Sequence, residues 1–264
     1  MARIALSDVN TEKAMKNLDT LLRVFEITKK ETEEGVGISN GYLTRLANPN
    51  NGKKLSFDLE LSLENFLDLP QFTLDTEEIE YPNKDDEFVI RVLEKMNRQT
   101  KNGELSWSEI NQEQLDAESA WRDLFSVDIA KDSPFKGKAE FIRVNPSIIE
   151  KLYLVGSIYE TFIAEGQKVL LFETGTDTGE YEVDRDNAGN EYPYRVLDFH
   201  YEILLISGER QYRGIADTYN INGKPGRKPL QYSLRRLFNS VQRETKNKMN
   251  KETFDILSSY LNKN

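Results

Sequence analysis

The sequence predicts an α+β protein, an N-terminal all-helical domain followed by a C-terminal antiparallel-sheet-and-helix domain. Three observations predict it. Apolar residues recur at three- and four-residue steps through residues 11–69, the spacing of helix faces. An acidic stretch without periodicity follows, with seven carboxylates and a single lysine, Lys84, between residues 75 and 87. After about residue 139 the pattern changes to short β-rich runs with a period of two. The boundaries that result are a helical domain over 1–70, an acidic linker over 71–87, a helical connecting segment over 88–138, and an α+β domain over 139–264.

The elements follow in order. Met15, Leu18, Leu21, Leu22 and Phe25 form one apolar face of a first helix. Thr28 can cap a second helix, KKETEEG, with Glu31 three residues on as its capping-box partner. Gly37 suits a turn, and Ser39 can cap a third helix from Asn40 to Ala47, which Pro49 ends by excluding Asn48 from helical geometry. Ser56 caps a further helix, FDLELSLENFL, that stops before Pro70. Helical spacing resumes from Asp85 to Thr100 through Phe88, Val89, Val92, Leu93 and Met96, and again over 113–125. AEFIRV, GSIYETFI and QKVLLFE read as strands. In VLDFHYEILLI, Leu197, Phe199, Tyr201, Ile203 and Leu205 fall on one face, and Asp198, His200 and Glu202 on the other, polar one. The intervals 174–191 and 220–229 read as loops, the chain closes on helix, and no internal repeat is visible.

Composition excludes several classes of function. A net charge of −10 argues against a surface that grips nucleic acid everywhere, though not against a local basic face. Nine lysines and arginines stand against Glu244 alone between 222 and 251. There are no cysteines, which removes disulfides and thiolate metal sites. No apolar run is long enough to span a membrane, and the first residues lack the apolar core of a secretory signal, so a cytoplasmic location is expected. His200 is the single histidine, so neither a triad nor a zinc site is expected. Glu173, Asp177, Asp184, Asp198 and Glu202 could in principle gather into a metal-dependent nuclease site, but no lysine sits two residues after a paired acid, so chance loop acidity is the favoured reading, and no phosphate-cradling glycine loop is present. No enzyme activity, cofactor or metal is therefore expected.

The stretch GVGISNGYLTRLANP supplies what a DNA-reading corner needs. Val36, Ile38, Leu43 and Leu46 can form an inner face, Gly37 a tight turn, and Ser39, Asn40, Gly41, Thr44 and Arg45 an outer one. With its flanking helices, residues 17–70, this stretch resembles the lambda-repressor-like, or Xre-type, helix-turn-helix family. The resemblance rests on ITKKETEEGVGISNGYLTRLAN followed by SFDLELSLENFLDLP. It implies that Ser39, Asn40, Thr44 and Arg45 face bases or phosphates. It implies that Lys29 touches phosphate at the start of the second helix, and that Lys53 and Lys54 contact the DNA backbone. Double-stranded DNA is the implied partner and a homodimer the implied form, because one small domain offers few base contacts. Glu33 departs from the family, which usually places a small residue there. A glutamate at that helix contact is expected to snorkel outward or to open the packing.

Farther along, Arg235, Arg236 and Arg243 are spaced to line the polar side of an amphipathic helix, as a solvated face or as secondary contacts to DNA backbone or another anion. Residues 85–264 more distantly resemble the C-terminal parts of Gram-positive Xre-type regulators through NGELSW, GSIYETFI and LRRLFNSV. That resemblance implies a sensing or dimerising module with an unidentified ligand or protein partner. The function expected is a sequence-specific transcriptional regulator, a dimeric repressor of bacterial or phage origin. The alternative is a protein-interaction module, antitoxin-like or a phage-defence component, whose helix-turn-helix is degenerate.

Overall fold

The computed structural model describes residues 9–110, 124–128, 140–143, 152–185, 189–207, 211–218 and 224–261. The architecture is α+β, with helices first and an antiparallel sheet plus helix later. The chain divides into two compact units, one of Met1–Lys101 with Asn220–Ser240 and one of Asn102–Tyr219 with Val241–Asn264.

The first unit is helical: α1 (Thr11–Val24), α2 (Lys29–Gly35), α3 (Tyr42–Leu46), α4 (Phe57–Phe66), α5 (Thr73–Thr76), α6 (Lys84–Lys101) and the part of α7 (Lys228–Leu261) that ends at Ser240. Leu18 and Leu21 of α1, Leu43 of α3, Leu63 of α4, Leu93 of α6 and Leu234 of α7 are all fully buried in it. The expected linker is folded instead. Leu74 and Ile79 are buried, and the Asn17 side chain, itself buried in α1, donates to the carbonyls of Leu74 and Glu77 at 2.8 Å each. Acidity disguised this segment, because its carboxylates are exposed or half-buried while Leu74 and Ile79, among its sparse apolar residues, are buried.

Nor is α6 part of a separate connecting segment: it belongs to the first unit. Its inner face is Ile90, Leu93, Glu94 and Asn97, whereas Phe88, assigned to that face by spacing, is 68% exposed. A buried ion pair sets the rotation. Arg236 of α7 donates from Nε to Glu94 at 3.2 Å and from Nη1 to the Leu67 carbonyl at 2.7 Å, and its guanidinium stands 4.5 Å from the Phe25 ring centroid. The Ser233 hydroxyl adds a 2.9 Å bond to the same Glu94 oxygen. The expected helix over 113–125 lies mostly outside the described residues; Phe125 begins a strand.

The second unit holds β1 (Ser108–Ile110), β2 (Phe125–Asp128), β3 (Glu140–Arg143), β4 (Leu152–Ala164), β5 (Gln167–Arg185), β6 (Glu191–Ser207) and β7 (Gln211–Asp217). They form one antiparallel sheet in the order β2-β3-β4-β5-β6-β7, with β1 and β3 pairing to different stretches of β4. The interval 174–191, expected as a loop, is mostly strand. Thr174–Asp177 and Tyr181–Arg185 pair in register with β6, and a bulge between Asp177 and Tyr181 absorbs the glycine and threonine residues that look like a turn. Gly175 is needed there, because a β-carbon would lie 2.9 Å from Leu197 of β6.

The expected faces of β6 are also corrected. His200 and Glu202 are buried and Phe199 is 49% exposed. Leu204 lies in a cluster with Ile158, Leu170 and Phe172, while Ile203 on the opposite face is equally buried. Alternation misleads where a sheet is covered on both sides. On the face of Ile203, Tyr159 hydrogen-bonds Gln242 of α7, and burial pushes its phenol up to about 12.

Candidate nucleic-acid interface

The α2–α3 corner begins as its sequence predicts. The Thr28 hydroxyl accepts the Glu31 N–H at 3.1 Å, and the Glu31 carboxylate accepts the Thr28 N–H at 2.7 Å, a complete capping box. The Thr28 hydroxyl also donates to the Glu31 carboxylate at 2.7 Å, and this bond first, with the Thr28 N–H second, holds the Glu31 carboxyl below the usual carboxylate range.

Glu33 does the opposite of what was expected. It is 2% exposed and turned inward, with Oε2 accepting the Gly41 N–H and Oε1 the Leu43 N–H, both at 2.7 Å. The first amides of a helix have no intrahelical acceptor, and a carboxylate satisfies them while complementing the helix dipole. Glu33 therefore caps α3 from a neighbouring helix and sets where α3 begins. Ser39 does not cap it. The helix starts at Tyr42, not Asn40, behind a left-handed Gly41 at φ 76. Gly41 is thus a structural turn residue whose N–H is already committed to Glu33. Gly35, at the end of α2, allows close packing on α4, since a β-carbon would fall 2.2 Å from the Phe66 ring.

The same corner occurs a second time. Glu64 of α4 is buried, and its carboxylate accepts the Phe72 and Leu74 N–H groups at 2.9 Å each. The helix ends match as well: Ile38 N–H reaches the Glu33 carbonyl and Leu69 N–H the Glu64 carbonyl, both at 2.9 Å. Left-handed residues stand four and eight positions after each glutamate, Gly37 and Gly41 in one corner, Asp68 and Phe72 in the other. The first unit therefore contains a repeated helix–corner–helix device that residue identities conceal.

The outer side of the first corner carries Ser39, Asn40, Thr44 and Arg45, all exposed. Arg45 donates to the Ser39 hydroxyl at 3.3 Å, and both Arg45 and Lys53 stand over the Tyr42 ring, at 5.9 and 5.4 Å from its centroid. Asn51, a residue spacing alone did not single out, donates to the Arg45 carbonyl at 2.9 Å and closes the end of α3. The loop bearing the exposed Lys53 and Lys54 is anchored by the Leu55 N–H on the Thr11 hydroxyl at 2.9 Å. Lys29 pairs with Asp19 of α1 at 2.9 Å, so contact with a phosphate would compete with that bridge. Beside α3 lies a groove of about 630 Å³, in which Lys16 and Lys53 are matched by Glu12 and Asp19. Balanced charges give it no preference for an anion.

The three distal arginines do not act together. Arg236 is 3% exposed and consumed by its contacts with Glu94 and Leu67, so it cannot contact DNA. Arg235 is half-buried and Arg243 exposed. The amphipathic spacing is real, but the charged stripe turns inward at Arg236 to meet a buried glutamate.

A scan against protein-family models found no match, and neither curated proteins nor solved structures gave one.

His200 packs against Thr176, with Nε2 3.1 Å from the hydroxyl, and lies 3.9 Å from the Asp198 carboxylate. Asp177 is engaged in its own bulge, accepting the Gly179 N–H at 2.9 Å. Among the described residues, no three histidine, aspartate or glutamate side chains gather to hold a metal ion. No described helix is long and apolar enough to cross a membrane.

Proposed function

We propose that the α2–α3 corner reads double-stranded DNA and that the chain is a dimeric, sequence-specific transcriptional regulator acting in the cytoplasm. The observation that carries this is the inward Glu33 cap. It fixes α3 against α2 without spending any outward residue, leaving Ser39, Asn40, Thr44 and Arg45 together on the solvent side. Lys53 and Lys54 extend that surface as backbone contacts. Arg45 is the base-reading or phosphate-reading cation, held by Ser39 and Tyr42 before DNA arrives. The second unit serves as the dimerising or sensing module.

The length of α3 favours a second reading. Five helical residues present fewer base-facing side chains than a longer recognition helix would. The corner would then be a protein-interaction surface. Selection from random DNA at low salt, with the folded full chain, separates the two. Enrichment of a defined sequence, lost in Arg45→Ala, supports the regulator. No enrichment, together with recovery of a stoichiometric protein partner, overturns it.

A further inference from the structure

We infer that Glu60 of α4 carries a proton that it donates to the Asp75 carboxylate of α5, and that this proton latches the second corner and is released as pH rises through neutrality. Glu60 is 1% exposed, yet neither of its carboxylate oxygens has a hydrogen-bond partner, and Oδ1 of Asp75 is likewise buried without one. A carboxylate so far from water requires a cation, a donor or a proton.

No cation supplies it. The charges acting on Glu60 are those of Asp75 and of Glu64 one turn along α4, both of its own sign. The two lysines that bind the α5 segment are engaged with other groups. Lys13 of α1 is bound to the Thr76 carbonyl and Glu78, and Lys228 of α7 to Glu77. Tyr232 of α7 bonds Thr73, and Arg235, whose Nε is buried without a partner, acts on that phenol and is not among the charges on Glu60. Glu64 cannot help, because its oxygens hold the Phe72 and Leu74 amides.

A proton on Glu60 removes the conflict. The carboxylic acid then donates to the Asp75 carboxylate, and two like charges become one. Burial first, then the charges of Asp75 and Glu64, and then this side-chain hydrogen bond push the Glu60 carboxyl up to about 7, against the smaller opposing pull of the Asp75 backbone N–H. When the proton leaves to water, the buried Glu60 carboxylate and the half-buried Asp75 carboxylate repel across the α4–α5 contact. The first corner has no such pair and provides an internal reference.

The test uses the full chain with carbon-13 in its Glu and Asp carboxyl groups, titrated by NMR between pH 4 and 9. One glutamate carbon, assigned by its absence in Glu60→Gln, is expected to titrate near neutrality, well above those of the exposed glutamates. Protection of the Leu74 amide relative to Leu43 should fall by about tenfold or more between pH 6 and 8. In Glu60→Gln, whose amide can still donate to Asp75, that ratio should stay flat. A Glu60 carbon fully titrated by pH 5.5, or Leu74 and Leu43 losing protection in parallel, overturns the inference. If the variant does not fold, the wild-type ratio of the two amides decides alone.

Discussion

Replacing Glu33 by alanine removes the acceptor of two 2.7 Å bonds at once. The Leu43 amide bond is buried, so its N–H would lose its partner without gaining water, at a cost of roughly 1–3 kcal/mol. The Gly41 amide is only partly buried and can be rehydrated, adding about 1 kcal/mol. A cavity at a 2% exposed site adds to both, so the expected loss is about 3 kcal/mol, within roughly 2–5. Glu33→Gln keeps one acceptor but turns an NH2 toward the other amide, and should lose about 1–2 kcal/mol. Because the two units can unfold in separate steps, the measurement is hydrogen exchange at the Leu43 amide across a urea series on the full chain. Glu64→Ala, which strips the same pair of bonds from Phe72 and Leu74, should behave alike. If Glu33→Ala stays within about 0.5 kcal/mol of the parent, Glu33 does not position α3 and the account of the corner is wrong.

Gly35→Ala should destabilise the first unit by about 1–3 kcal/mol, read by thermal unfolding, because the Phe66 ring must be displaced. Arg236→Ala leaves Glu94 buried and unpaired and should cost about 3–5 kcal/mol in the same assay; a neutral result would deny the ion pair its place in the core. Glu31, whose carboxyl is held below its unfolded value, contributes stability above that value and loses it as pH falls through the folded one. The exchange rates of the first α2 amides should therefore rise on acidification, and should already be raised in Thr28→Ala at neutral pH. Given a selected DNA site, Arg45→Ala should weaken binding about tenfold, and if the contact is to phosphate it should also lower the salt dependence by about one counterion.

How much of this was legible in the sequence depended on how far each residue's partner lies along the chain. The Thr28–Glu31 capping box and the Ser56 cap are local, and both appear where residue type and spacing place them. The α+β order was legible because period three-to-four and period two are backbone properties. The expected linker hid its structure because the residue that organises it is Asn17, more than fifty positions earlier. Arg236 looked like a surface cation because nothing near it reveals Glu94 on another helix. Glu33 shows the limit most clearly. Treated as an isolated side chain at a helix contact it is an error, and only the two amides across the turn make it the right residue.

The two corners of the first unit have a further consequence for recognition by comparison. Between residues 32–43 and 63–74, only the glutamate and the leucine coincide in identity. Gly37 is replaced by Asp68 and Gly41 by Phe72, each with a left-handed backbone. A substitution matrix scores such a pair as unrelated, although the same amides meet the same carboxylate oxygens. What these segments have in common is a wiring diagram, Glu-x9-Leu with left-handed joints at the fourth and eighth positions after the glutamate. Scanning for that diagram, rather than for residues, is the way to find other chains that turn the same corner.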